Sequence, residues 1–300
     1  MKSDDYYNNS YNNHGVTGLI NMPTGRFFNE AVHGITIYNG TPDQKITLTS
    51  SPYDWLEASF FYTNVDGIKY CELSYDPVCN QDYKDKGFNF KARLKEEGKF
   101  PSIAIGINDI AGTGLYSSEY IVSSYGIDNI DFHLGFAWGS LNGGNSIRNP
   151  LGYINNSFNK RPDYTEGEGG QFQPSRYFSG KKVSPFFGIS YALNKQLVFK
   201  LEKDTTLTPG LVGYEAPKSD YSYGFEYAFN NNFSLGMSQE RDSYLSIKFT
   251  YKNNPIESSK THLYKKASSE ISDSKYEKLV KNIENNGVGV NKIIETADFI

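Results

Sequence analysis

The chain has 300 residues, 38% of them hydrophobic and 21% charged, with a net charge of −4 and a mean hydropathy of −0.56. No apolar run is long enough for a spanning helix, 24 Tyr and 20 Phe are too many for a solvated coil, and the acidic balance offers no basic face to nucleic acid. Mean hydropathy misses one membrane class, the β-barrel, whose strands alternate apolar and polar residues.

Residues 1–30 are a polar segment without the charged start and apolar stretch of a secretory signal. The expectation is either a cytosolic protein or a fragment whose leader lies outside this chain. From Val32 to Tyr251 the hydrophobic period is two. Phe88, Phe90, Ala92 and Leu94 alternate with Asn89, Lys91, Arg93 and Lys95. Ile130, Phe132, Leu134 and Phe136 alternate with Asp131, His133, Gly135 and Ala137. Such alternation means strands with one apolar and one polar face. It predicts twelve strands, near 32–38, 45–50, 55–63, 87–95, 101–108, 117–124, 130–138, 185–192, 196–203, 221–229, 232–239 and 243–251.

The connections alternate in length. Short ones (Ser51–Asp54, Glu96–Phe100, Gly126–Asn129, Leu193–Lys195, Asn230–Asn232) take every second place. Long ones (Asn64–Lys86, Gly139–Ser184, Asp204–Asp220) lie between them. This is the pattern of an up-and-down transmembrane β-barrel with short periplasmic turns and long outer loops. The all-β alternative is a soluble carbohydrate-binding β-sandwich or lipocalin-like barrel with its apolar face inward.

If the apolar face meets lipid, the other face lines a lumen. That face is rich in Gly, Ala and Ser, including Ala104, Gly106, Gly135, Ala137, Gly188, Ser190, Ser222 and Gly224. Its candidate charged and polar lining is Glu57, Lys91, Arg93, Glu119, Asp131, His133, Lys200, Glu202 and Glu226. Aromatics such as Tyr62, Trp138, Tyr191, Tyr221, Phe229 and Tyr251 fall near strand ends, as interface girdles do. At twelve strands the backbone radius is about 12 Å, so the lining decides what passes. The expectation is an open wall with a movable plug formed by the Gly139–Ser184 loop and contacted by Lys91, Arg93, Glu119 and Asp131. The N-terminal segment with Gly15–Gly25 is the next candidate for the plug.

Residues 253–300 change character. Ser272–Asn286 reads as a capped helix and Val288–Ile294 as a strand, the start of a small periplasmic α/β unit. The expected division is therefore 1–30, 31–252 and 253–300. Cys71 and Cys79 fit no zinc spacing. Their common loop and an oxidising compartment predict a disulfide, with two unpaired thiols as the alternative.

Catalytic motifs are few. Gly112-Thr113-Gly114 lacks the third glycine of a dinucleotide loop, and the four histidines form no close ligand pair. Asp131 and His133 share a face and supply two members of a triad, for which a lumen-wall hydrogen bond is the plainer reading. No cofactor, metal or catalytic residue is expected.

Four segments, in order, resemble one family. They are Gly15–Gly25 (GVTGLINMPTG), Pro52–Thr63 (PYDWLEASFFYT), Tyr83–Lys91 (YKDKGFNFK) and Asp109–Tyr120 (DIAGTGLYSSEY). They resemble the YjbH/GfcD-type exopolysaccharide and group 4 capsule biosynthesis proteins. The resemblance implies a Gram-negative outer-membrane β-barrel serving polysaccharide secretion, as a conduit or scaffold. Its partners would be the polysaccharide, outer-membrane lipid and periplasmic or lipoprotein components. Family members are longer and carry a signal peptide, so the chain is expected to be a fragment. A general diffusion porin and a lumenal glycan-processing enzyme are the other readings.

Overall fold

In a computed structural model, residues 9–70, 81–163, 170, 172–211, 214–258 and 283 are described. By contacts the chain divides into two units, Met1–Pro255 and Ile256–Ile300. Cys71, Cys79 and the tail elements expected beyond Ser272 lie outside the described residues, Ile283 excepted.

The alternating segments form β1 (Val32–Asn39), β2 (Asp43–Tyr53), β3 (Leu56–Lys69), β4 (Asp82–Lys95), β5 (Ser102–Ile110), β6 (Ser118–Ile127) and β7 (Ile130–Gly139). After a two-residue β8 (Ile147–Arg148) come β9 (Lys182–Ala192), β10 (Leu197–Lys203), β11 (Tyr221–Ala228), β12 (Phe233–Glu240) and β13 (Tyr244–Asn253). All the pairings are antiparallel. β1 pairs with both β2 and β13, and β7 pairs with β9. The β9–β10 pairing (Ala192↔Val198, Gly188↔Glu202) completes the circuit. The result is a closed twelve-strand barrel, with β8 an extra strip on the end of β9. Closure leaves no barrel strand with an unpaired edge.

The short turns are encoded locally. Asn194 and Asn230 each fold the side-chain carbonyl onto two following backbone N–H groups, at 2.8 and 2.9 Å in each case. Between β6 and β7 the turn is Asp128–Asn129, with Asp128 in the left-handed region at φ 53°. At the other end β3 and β4 run past their expected limits to Lys69 and Asp82, shortening the connection foreseen at Asn64–Lys86 to residues 70–81.

The longest connection, residues 140–181, folds back on its own barrel end. It carries β8 and a helical turn, α1 (Leu151–Ile154). The Asn149 amide gathers it by donating to the carbonyls of Phe158, Phe178 and Gly180.

The outer face carries the large apolar side chains: Ile35, Ile37, Leu48, Phe90, Phe132, Leu134, Leu201 and Ile247 are all exposed. Aromatics ring the short-turn end. Tyr53 stacks on Trp55 at 5.7 Å, Tyr227 meets Phe229 at 5.3 Å, and Phe233 meets Tyr251 at 4.9 Å. Trp138, foreseen in such a girdle, is instead 2% exposed, covered by Phe178 of the long loop at 5.2 Å. No described helix is long and apolar enough to cross a membrane. An apolar exterior on a closed barrel is the arrangement that a bilayer selects and water opposes.

Leu48 lies mid-strand on this face and is 50% exposed. In lipid, Leu48→Arg is expected to lower stability by about 2–4 kcal/mol, read by urea unfolding from vesicles. Unchanged stability would mean that the face meets water.

Candidate functional site

The interior of the barrel is occupied by the chain's own N-terminal segment, residues 9–28. Tyr11, Val16, Leu19, Ile20, Met22, Phe27 and Phe28 are all buried. The segment doubles back on itself through bridges Tyr11↔Thr17 and Gly18↔Pro23. Both of its arms lie toward the short-turn end. There Lys252 donates to the Asn9 carbonyl, and Arg26 meets Glu97 of the β4–β5 turn at 2.6 Å. Its bend reaches toward the long loops, where Met22 packs in one cluster with Leu141. Gly15, in the left-handed region at φ 75°, permits the bend against Thr47.

Such a segment has a difficulty that a strand lacks: most of its backbone polar groups have no ladder to join. Side chains from the wall take that role. The Glu202 carboxylate accepts from three consecutive N–H groups, Ile20 at 2.9 Å, Asn21 at 2.7 Å and Met22 at 3.2 Å. Glu57 accepts from the N–H of Thr17 at 2.8 Å and from its hydroxyl. Lysines serve the carbonyls: Lys91 donates to Thr17 and Arg26, Lys200 to Leu19, and Lys248 to Tyr11. Lys200 and Lys248 also flank Glu226, at 3.4 and 2.9 Å. Asp131 holds Arg26 through two bonds of 2.6 and 2.7 Å. Glu240 accepts from Asn13, Asn21 and Tyr38. Charge-assisted bonds of this kind are worth roughly 1.5–3 kcal/mol each, and stripping one partner leaves a buried group unsatisfied.

Of the residues foreseen as lining, Glu57, Lys91, Asp131, Lys200 and Glu202 therefore grip the segment directly. Arg93 lies over the Phe27 ring at 4.8 Å. Glu226 acts through its two lysines, and His133 is bonded to Ser124 at 2.7 Å. Glu119 is a correction. Its neighbour Tyr120, paired with Ala137, points inward, so Glu119, opposite Trp138, belongs to the outer pleat. There the long loop covers it. Arg161 forks onto it at 2.7 and 2.9 Å, and the Phe178 N–H adds a third bond. It makes no pair with Lys91 or Arg93 across the interior.

The expected open bore is also corrected. The small inward residues are hollows that other side chains occupy. Tyr120 lies over Gly106 and Phe186 over Gly135, while the segment's Tyr11 and Leu19 sit against Gly34 and Gly188. A Cβ at any of the four would overlap its occupant. The segment, not the Gly139–Ser184 loop, fills the interior.

Several gripping residues were not foreseen: Lys45, Asp204, Glu240 and Lys248. Lys248 lies on the polar face of the strand expected at 243–251, beside Ser246, and Glu240 shares the parity of Ser238 one residue beyond the strand expected at 232–239. Lys45 shares the inward parity of Thr47 and Thr49 on β2.

Ser124, His133 and Asp131 form a Ser–His–Asp grouping, but its geometry is structural. His133 Nε2 is 3.8 Å from Asp131, whose oxygens are on Arg26. Ser124 Oγ accepts from the Gly25 N–H at 2.7 Å. The adjoining cavity, of about 20 Å³, has room for one water and no substrate. Among the described residues no group of His, Cys, Asp and Glu is placed to hold a metal.

His14 links the segment to β2. Lys45 approaches its Nδ1 at 3.0 Å, a contact suited to a neutral ring that accepts. Burial first, then the Lys45 ammonium, push the His14 imidazole well below its ordinary range. The unfolded chain therefore takes up this proton first. Stability present at neutral pH is lost as pH falls through the ordinary value of about 6.5. His14→Gln is expected to flatten that part of the dependence, measured as the change in urea midpoint between about pH 7.5 and about pH 5.5. Equal slopes in the two proteins would place the proton uptake elsewhere.

A family model for exopolysaccharide biosynthesis protein YbjH, the YjbH family, matches residues 10–296. The uncharacterized lipoprotein YjbH of Escherichia coli (strain K12) is 30% identical over 248 residues, 82% of this chain and 35% of that protein. The chain thus spans about a third of that relative's length. Among solved structures, a KdgM porin aligns over 74% of this chain and 97% of its own, at 8% identity and TM-score 0.36. A NanC porin aligns over the same shares at 8% identity and TM-score 0.33.

Proposed function

Because the chain belongs to the YjbH family of exopolysaccharide biosynthesis proteins, we propose that it is a non-enzymatic outer-membrane component of exopolysaccharide secretion whose barrel stands closed. In this role it is a membrane scaffold for the secretion machinery, and polymer does not pass while residues 9–28 are in place. The observation that carries the reading is the filled interior: Glu57, Lys91, Asp131, Lys200 and Glu202 are all engaged with the segment. The apolar exterior and the aromatic ring at the short-turn end support placement in the outer membrane. A general diffusion porin needs a water-filled lumen, which this packing does not provide.

A gated conduit is the second reading, favoured by one observation. The segment's two arms lie toward the same end of the barrel, so it can withdraw as a loop without threading through the far mouth.

Two measurements test the proposal. Deleting the gene is expected to lower surface exopolysaccharide, and unchanged polymer would refute the secretion role. In planar bilayers the intact protein is expected to be electrically silent. Glu57→Ala combined with Glu202→Ala removes two of the grips and is expected to produce conducting events if the segment is a gate. Steady conductance from the intact protein would overturn the closed reading.

A further inference from the structure

The connection between β7 and β9 lies against the outside of the barrel at the long-loop end. Glu119 and Trp138 are on the outer pleat of β6 and β7, where a bilayer-facing side chain is exposed, and both are buried. Their cover is the connection itself, with Arg161 on Glu119 and Phe178 on Trp138. On an outer-membrane barrel, the outer pleat next to the long-loop rim is at the level of the outer-leaflet headgroups.

The surface that this connection turns outward is basic and partly apolar. The buried Asn149 amide draws the backbone at Phe158, Phe178 and Gly180 together. The Asn149 N–H donates to the Lys181 carbonyl at 3.0 Å, and β8 sets Arg148 opposite Lys182. One knot of backbone therefore presents Arg148, Lys160, Lys181 and Lys182, all exposed. Among the described residues of this connection the exposed acidic side chain is Asp163 alone. No described carboxylate forms an ion pair with any of the four cations. The Arg148 guanidinium lies over the Tyr153 ring at 4.3 Å. Tyr153 is 69% exposed and its neighbour Ile154 80% exposed. Cations beside exposed aromatic and aliphatic side chains are the composition of a surface seated in a headgroup layer, with charges on phosphate and apolar tips at the acyl boundary.

We propose that this connection is a docking surface for a phosphorylated lipid of the outer leaflet. Its phosphates are received by Arg148, Lys160, Lys181 and Lys182, and its acyl boundary is met by Tyr153 and Ile154. The proposal rests on the outer-membrane placement above, while the preference for phosphate over a neutral headgroup rests on the four charges. Arg148, stacked on Tyr153, offers phosphate a guanidinium fork whose position is already held. An acidic polymer would match the charges but would leave Tyr153 and Ile154 in water. The apolar pair and the side-on seating of the connection favour the lipid.

The test uses the full chain in neutral detergent micelles and two matched probes, bisphosphorylated lipid A and the same lipid stripped of its phosphates, titrated by native mass spectrometry. The phosphorylated form is expected to bind about tenfold or more tightly than the stripped form. Arg148→Gln combined with Lys182→Gln is expected to remove about tenfold or more of that affinity. Lys95→Gln combined with Lys99→Gln removes equal charge at the short-turn end and is expected to bind as the intact protein does. Ile154→Ser is expected to weaken both forms alike. Inorganic phosphate and an alginate octamer, which are anions without acyl chains, are expected to compete weakly. Full displacement by alginate would assign the surface to an acidic polymer and overturn the lipid, and full displacement by phosphate would leave a plain anion site and overturn it as well. Equal affinity for the two forms, no binding of either, or unchanged affinity in the Arg148–Lys182 variant or in Ile154→Ser would also overturn the proposal. Heat-modifiable gel mobility of each variant confirms that the barrel is intact. Because binding is read on isolated protein, its failure leaves the gene-deletion result standing, and the reverse also holds.

Discussion

A closed barrel that turns charged side chains inward must supply each of them with a partner, because a ring of strands has none of its backbone groups to spare. That requirement organises this protein. Glu57, Lys91, Lys200, Glu202 and Lys248 would be prohibitive in a dry interior and unremarkable in a wide aqueous one. Here they are neither, because a segment with only two isolated bridges of its own brings a complementary set of N–H and C=O groups left over from them. Wall and segment each solve the other's problem. The interior is dense without being apolar, and its polar contacts carry a specificity that aliphatic packing would not.

The architecture was readable because period two survives through nearly every strand, and a closed sheet with an apolar exterior leaves few alternatives. The interior was less readable. Small residues on the inward face indicate space, but one chain's alternation does not say what stands opposite. Gly106 and Gly135 read as bore until Tyr120 and Phe186 are seen lying across them. These two aromatics sit on the inward face of their strands, against the simple division of apolar outside and small inside. β6 shows how that division misleads. Its inward set, Ser118, Tyr120, Val122 and Ser124, mixes polar and apolar residues, and Ser123 is on the outer pleat. Parity could not be assigned from hydropathy there, and Glu119 was given to the wrong face. Trp138 leaves the girdle for a related reason: it stays on the outer pleat, and the loop that covers it lies 40 residues on along the chain.

The same physics bears on the proposed role. An interior held by several charge-assisted bonds, distributed over β3, β4, β7, β10 and β13, does not open by loss of any single contact. Opening requires a force or a partner that replaces many bonds together, which favours a resting state that is closed. In the proposed role a closed barrel keeps the membrane sealed.

Amide hydrogen exchange on the membrane-embedded protein tests the filled interior most directly. The backbone N–H groups of Thr17, Ile20, Asn21 and Met22, all held by Glu57 or Glu202, are expected to exchange as slowly as those of the barrel strands. Exchange of these amides at the rate of an unstructured chain, with the strands still protected, would contradict it.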